Sequence, residues 1–171
     1  MIDEKKTLAF VSSRSGTGKT TLMEAMVKRL KGKGYRVGVV KHSSHEVSFD
    51  REGSDSWRLT RAGSDVTVLA ARGFLAVLRA VDRPSLDTAL LEASSGTDIV
   101  LVEGFKEMAV PKIEVYRSAH CLELCCRGER GIDPLLVGVA SDVPLDLDVP
   151  VLDLNDHDEI FKFIVKRILG D

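Results

Sequence analysis

No apolar run in this 171-residue chain approaches the roughly 20 residues that a membrane-spanning helix needs. No sign of charge dominates either. Twenty-four Lys and Arg stand against 26 Asp and Glu, a net charge of −2, which argues against a general nucleic-acid binder. Cysteine is scarce and odd in number, three residues, which fits a reducing compartment better than a disulfide framework. Met1 to Lys6 are charged and lead straight into an apolar segment, so no signal peptide is expected and the expected location is cytoplasmic. Repeats, low-complexity tracts and Pro/Gly/Ser linkers are missing too. The expectation is one domain over 1–171, long enough to bury a proper core. What remains, 44% hydrophobic and 29% charged residues, is the composition of an ordinary globular protein.

The most informative stretch is Ser12 to Thr21, Ser-Ser-Arg-Ser-Gly-Thr-Gly-Lys-Thr-Thr. It follows the apolar Leu8-Ala9-Phe10-Val11 and opens an amphipathic segment, the strand, loop and helix context of a phosphate-binding P-loop. Gly16 and Gly18 let the backbone curl so that successive N–H groups face an anion. The following helix adds the positive end of its dipole. Lys19 supplies a mobile cation for β- and γ-phosphates, and the Thr20 hydroxyl is placed to ligate Mg²⁺. Ser13 stands where the full pattern has its first glycine, while Gly-Thr-Gly-Lys-Thr-Thr is intact. Ser15, Gly16, Thr17, Gly18, Lys19, Thr20 and Thr21 are the expected nucleotide-binding residues.

Periodicity places a helix from Lys19 to about Lys31, with Leu22, Met26 and Leu30 inward, and a strand at Arg36 to Val40 that completes a βαβ unit. A short helix capped by Ser54 or Asp55 precedes a hairpin, Val66 to Ala71 and Phe74 to Val81, turning at Arg72-Gly73. Pro84-Ser85 starts another helix. Ile99 to Val102 and Leu135 to Ala140 are apolar throughout, as strands covered on both faces are. Ile113 to Tyr116 alternates with polar residues and suits a position nearer a sheet edge. Val149 to Leu154 and an amphipathic helix from about Asp156 to Leu169 close the chain. The fold class is α/β: a doubly wound, mostly parallel sheet with helices on both faces, of the P-loop NTPase kind, plus an antiparallel hairpin.

Glu103 ends a central strand, where P-loop proteins hold a carboxylate for Mg²⁺ or its water; helix cap and ion-pair partner are the competing roles. Asp50 and Asp55 are candidates for the same metal's water shell. His42 and His45, near Glu46 and Asp50, have spacings compatible with a transition metal, although loop histidines are commonly just solvated. Cys121, Cys125 and Cys126, with His120, form a dense cluster without paired Cys-x-x-Cys knuckles; small buried hydrophobes or ligands of a metal or iron–sulfur group both fit. Asp142 follows Val139-Ala140-Ser141. A carboxylate there accepts from guanine N1–H and N2–H₂ together, a donor pair that adenine lacks, whereas Ser-Asp-Val-Pro also suits a plain turn.

Several of these segments converge on one family. Ser-Gly-Thr-Gly-Lys-Thr-Thr-Leu at 15–22, Val-Lys-His at 40–42 and Gly-Ser-Asp-Ser-Trp-Arg-Leu at 53–59 are joined by Arg-Ala-Gly at 61–63. Further on come Asp-Ile-Val-Leu-Val-Glu-Gly-Phe-Lys at 98–106 and Val-Ala-Ser-Asp-Val-Pro-Leu-Asp-Leu-Asp-Val at 139–149. Over nearly its whole length the chain resembles molybdopterin-guanine dinucleotide biosynthesis protein B. The resemblance implies a dimeric, weakly hydrolysing GTP-binding protein that uses Mg²⁺ and helps a nucleotidyltransferase join a guanosine nucleotide to molybdopterin. It implies Lys19 and Thr20 on phosphate and Mg²⁺, Glu103 as the metal-side carboxylate, Asp55 as its companion and Asp142 as guanine reader. Lys19 and Glu103 are then the residues expected to bear on turnover. No arginine finger or water-orienting glutamine is evident, so hydrolysis should be slow, with Arg14 available across a dimer. A small kinase or ligase of the dethiobiotin-synthetase type shares the loop lysine and the Val-Glu-Gly strand end. A metal-delivery GTPase would need the His or Cys clusters to bind metal.

Overall fold

The computed structural model describes residues 7–43, 47–82, 85–121, 123–128 and 131–170. In chain order the elements are β1 (Thr7–Val11), α1 (Lys19–Gly32), β2 (Val37–Lys41), α2 (Asp55–Arg61), β3 (Val66–Ala71) and β4 (Phe74–Arg79). Then follow α3 (Leu86–Ser94), β5 (Ile99–Glu103), β6 (Lys112–Tyr116), β7 (Arg127–Gly128), β8 (Gly131–Ile132), β9 (Leu136–Ser141) and β10 (Val151–Asp153). The chain closes on α4 (His157–Ile164), which runs on as one π-helical turn, Val165–Leu169. They fall into two compact units, Ser43–Ser85 and the rest.

The larger unit is built on a six-stranded sheet in the order β10-β9-β6-β1-β5-β2, with every neighbouring pair parallel. Parallel strands force crossovers that lay chain over both faces, so β1, five residues of Thr-Leu-Ala-Phe-Val, is buried throughout. Successive side chains go to opposite cores. Leu8, Phe10, Leu101, Ile113 and Val115 pack with Leu22, Met26 and Leu30 of α1 and Ile160 and Ile164 of α4. Ala9, Val11, Val100, Val102 and Val139 pack with Leu86 and Leu90 of α3. Toward β6 and β9 this second core meets no further helix among the described residues; Val110, Leu124 and Cys126 from connecting segments join it there. At the β2 edge, α3 approaches so closely that a Cβ on Gly38 would lie 2.3 Å from the Ala93 carbonyl oxygen, a place only glycine can occupy.

One expectation needs correction. β6 is internal, paired with β1 on one side and β9 on the other. Its polar alternation, Lys112 and Glu114 between Ile113 and Val115, marks polar groups that are buried and satisfied rather than solvated; both side chains lie in residues at most 1% exposed. The strand after α1 joins the same parallel sheet as expected of a βαβ unit, with β5 pairing with both β1 and β2 and lying between them. The two-residue ladder of β7 with β8 carries no sequence pattern long enough to announce it.

In the smaller unit, Ser54 caps α2 by accepting from the Trp57 amide at 3.2 Å. β3 and β4 pair antiparallel from Val66↔Arg79 to Ala71↔Phe74, turning through Gly73 at φ 90°. Val66, Val68, Leu69, Phe74, Leu75 and Val77 on this ribbon are all exposed. Pro84, the expected start of α3, and Met1 to Lys6 lie outside the described residues.

Candidate functional site

The glycine loop joins β1 to α1 at the carboxyl edge of the parallel sheet, where ligands bind in this architecture. Gly16 and Gly18 both hold left-handed backbone, φ 78° and 95°, so the chain turns without a Cβ penalty and presents its amides. The Lys19 ammonium reaches back to donate to the Ser12 hydroxyl at 2.5 Å and to the Arg14 carbonyl at 3.3 Å. Parallel register does the rest of the assembly. Phe10 pairs with Glu103 and Lys41 pairs with the same Glu103, so strand pairing alone brings a carboxylate beside the start of α1. There the Thr20 hydroxyl lies 3.1 Å from both Glu103 oxygens, and the Lys41 ammonium lies 3.4 Å from one of them. After Glu103 the backbone turns through Gly104 and Phe105, both left-handed, at φ 90° and 53°. Such a conformation costs about 1–2 kcal/mol at a non-glycine residue, and here the Phe105 ring packs on His42 with centroids 4.5 Å apart. A cavity of about 560 Å³ opens against Ser12, Ser15, Lys19, His42, Glu103 and Phe105.

These groups fit the nucleotide and metal that the resemblance implies. A hydroxyl and a carboxylate converging within hydrogen-bond distance form the hard oxygen set that Mg²⁺ prefers, and the glycine loop with a helix N-terminus is an anion cradle. The Thr17 hydroxyl is buried without a hydrogen-bond partner among the described residues, and its loop carbonyl accepts from Arg117 Nε at 3.3 Å. Thr21 is exposed on the first turn of α1.

Asp142 follows the end of β9 at the same edge. Its carboxylate accepts from the Ser118 amide at 2.8 Å and the Ser118 hydroxyl at 3.2 Å. The Ser118 amide outweighs the opposing effect of burial and, with the Ser118 hydroxyl and Arg117, holds this carboxyl below its ordinary range. The turn itself is made by Ser141, whose hydroxyl both donates to the Val143 carbonyl and accepts from the Val143 amide. Asp142 therefore keeps its side chain for other partners, beside a cavity of about 350 Å³.

Arg117 and Ser118 escape sequence reasoning altogether. Arg117 lies against the phosphate loop, its guanidinium 3.5 Å from where a Gly18 Cβ would stand. The signal was its place one residue past a strand, usable only once β6 is known to neighbour β1. Asp55 belongs to the smaller unit, where it opens α2 and faces Arg58 at 3.8 Å. Asp50, in that unit too, is engaged by its own turn, accepting from the Ser54 hydroxyl and the Arg51 amide. His45 and Glu46 lie outside the described residues. Cys121 and Cys126 are buried and Cys125 half-buried, all free thiols. The Cys125 sulfur beside it, then burial and Glu114, push the Cys126 thiol far above its ordinary range.

Comparison with known proteins identifies the family. The molybdopterin-guanine dinucleotide biosynthesis adapter protein of Escherichia coli is 39% identical over 165 residues, 93% of this chain and 91% of that one. The protein of the same description from Haemophilus influenzae is 38% identical over 156 residues, 90% and 85% of the two chains. The crystal structure of a MobB protein homolog from Bacillus stearothermophilus superposes with a TM-score of 0.68 at 27% identity, covering 96% of this chain and 97% of that one. Residues 7–142 match the family described as molybdopterin guanine dinucleotide synthesis protein B, and the chain belongs to that family.

Proposed function

We propose that this protein is a GTP-binding adapter of the cytoplasm that assists a nucleotidyltransferase in forming molybdopterin guanine dinucleotide. The observation that carries the nucleotide reading is Thr20 and Glu103 converging, at 3.1 Å, beside a loop curled by two left-handed glycines. The names of the two curated relatives support the pathway. Lys19 would leave Ser12 and Arg14 for the β- and γ-phosphates, while the amides of residues 15–20 hold the triphosphate. Thr20 and Glu103 would hold Mg²⁺, directly or through its water, and the ion supplies positive charge against the phosphates. Asp142 would accept from guanine with the lone pairs that Ser118 leaves free. Hydrolysis should be slow. The chain contains no glutamine to orient water, and Arg117 is engaged on the Thr17 carbonyl. The apolar β3–β4 ribbon supports a homodimer, since a two-stranded ribbon is marginal alone and a second copy would cover it.

The test is a calorimetric titration of the full chain with GTP and ATP, with and without Mg²⁺, followed by dinucleotide synthesis with the nucleotidyltransferase and molybdopterin. GTP should bind more tightly than ATP, and only with Mg²⁺ at full strength. Adding the chain should raise synthesis, and Lys19→Ala should remove that gain. Equal affinity for both nucleotides, or full stimulation by Lys19→Ala, overturns the reading.

A further inference from the structure

The sheet face that α3 leaves bare near β6 is unusually polar for an interior. Lys112 and Glu114, two residues apart on one strand, both point into it, and Glu114 is 0% exposed. Lys112 is answered by Asp133 at 2.7 Å. Glu114 has no ion-pair partner among the described residues. Its two oxygens accept from the Cys125 amide at 2.6 Å and the Cys126 amide at 3.0 Å. The next segment closes on the same spot, the Asp133 amide donating to the Cys126 carbonyl at 2.9 Å. A buried carboxylate thus holds a Cys-Cys turn so that both thiols gather around it. One carboxylate oxygen and the two sulfurs all lie within 4.8 Å of one another.

We propose that Glu114, Cys125 and Cys126 form a binding site for a single thiophilic divalent cation of the zinc class, separate from the nucleotide site. Bond lengths of about 2.3 Å to sulfur and about 2.0–2.2 Å to carboxylate oxygen place neighbouring ligands of one tetrahedral ion roughly 3.5–3.8 Å apart. From a spread within 4.8 Å, reaching that distance takes side-chain adjustment of up to about 1 Å. Two sulfurs beside one oxygen favour a borderline-soft ion over Mg²⁺ or Ca²⁺. The hydrogen bonds to the Cys125 and Cys126 amides occupy one lone pair on each Glu114 oxygen and leave another free. They also fix the ligand's orientation from behind, as outer partners do in metal sites. Binding replaces two thiol protons, released to solvent, with one divalent ion, so the charge of the site stays at that of the carboxylate alone. What changes is that the buried carboxylate gains a cation at bonding distance. Loading also fastens the far end of the segment that begins with Arg117 and Ser118, the residues touching Thr17 and Asp142.

The experiment uses the full chain, reduced and stripped of metal with a chelator, titrated anaerobically with Co²⁺ and then with Zn²⁺. One equivalent of Co²⁺ should raise a sulfur-to-cobalt charge-transfer band and an intense tetrahedral d–d spectrum, both erased by one equivalent of Zn²⁺. Cys126→Ser and Glu114→Gln should lose the band, and Cys121→Ser should keep it. Because those first two changes disturb buried positions, the deciding variant is Cys125→Ser, which is half-buried and leaves both amide hydrogen bonds to Glu114 in place. In it, zinc affinity should fall at least about a hundredfold, since losing a ligand exceeds the ten- to hundredfold cost of losing an outer partner. No thiolate band in the unmodified chain, or an undiminished band in Cys125→Ser, overturns the proposal. Nucleotide binding is not a readout here, so failure would leave the GTP reading untouched.

Discussion

Two glutamates flank the central strand β1 in consecutive register, Glu103 on β5 opposite Phe10 and Glu114 on β6 opposite Val11. They belong to opposite faces of the sheet and to different physical worlds. Glu103 sits at a strand end with a hydroxyl and an ammonium nearby, its side chain 15% exposed. Glu114 sits mid-strand, fully buried, held by two backbone amides under a connecting segment. Strand pairing put both carboxylates beside β1; what covers each one decided what it does. A carboxylate at an open edge is available to ligands that come and go, whereas one under a lid of chain is part of what holds the lid.

Five substitutions probe that contrast, in descending size of effect. Lys19→Ala strips the cation from the edge site while removing nothing from the core. Triphosphate affinity in calorimetry should drop by at least about a hundredfold, the loss of a charge-assisted contact of up to about 3 kcal/mol, with an unchanged melting temperature. Unchanged affinity in a folded variant would sink the phosphate-loop assignment.

Asp133→Asn attacks the covered face. Lys112, with its side chain 2% exposed, would be left charged and unpaired. The expected loss of stability in urea is roughly 2–4 kcal/mol, toward the low side of a fully buried pair because Asp133 retains some solvent. Although burial pushes the Asp133 carboxyl up, Lys112 and the Leu135 amide outweigh it and hold it below its ordinary range. A depressed folded value means stability that is complete above the unfolded carboxyl's pKa, near 3.9, and lost as pH falls through the lower folded value. Unfolding midpoints between neutral pH and about pH 3 should therefore decline less steeply in the variant.

The glutamates themselves come next. Glu114→Gln turns an amide donor toward a backbone N–H and should cost about 1–3 kcal/mol of stability. Glu103→Gln should leave the melting temperature nearly still and lower only the Mg²⁺-dependent part of GTP binding. Equal destabilisation by the two changes would erase the distinction between edge and lid.

Last is Asp142→Asn, which should weaken GTP selectively by about ten- to a hundredfold, one hydrogen bond to a charged acceptor, and widen acceptance of xanthosine triphosphate. A competition titration with an unaltered preference would return Asp142 to holding Ser118.

The contrast also explains what could be read in advance. The loop from Ser12 to Thr21 is local in sequence, and its chemistry depends on backbone conformations that glycine announces. Val-Glu-Gly is a strand end by composition, and a strand end in a parallel sheet lies near the loop. The inner face of β6 had no such announcement. Lys112 and Glu114 look like solvated alternation because their partners, Asp133 and the Cys125 and Cys126 amides, lie 21, 11 and 12 residues away. Burial of polar groups is a pairing fact, and pairing across such a distance leaves no periodic trace. The same holds for Arg117, whose meaning depends wholly on which strand β6 lies beside.

That arginine and its neighbour have a consequence for molecular discrimination. The dipeptide Arg117-Ser118 touches the Thr17 carbonyl with one side chain and clasps Asp142 with the next residue's amide and hydroxyl. The two ends of the proposed nucleotide site therefore share one pin, and coupling between ligands bound at the two ends would be reciprocal in free energy. On the proposed reading, retuning Asp142 toward another base would also disturb the phosphate loop through that pin, so base choice and triphosphate affinity would be coupled in this fold.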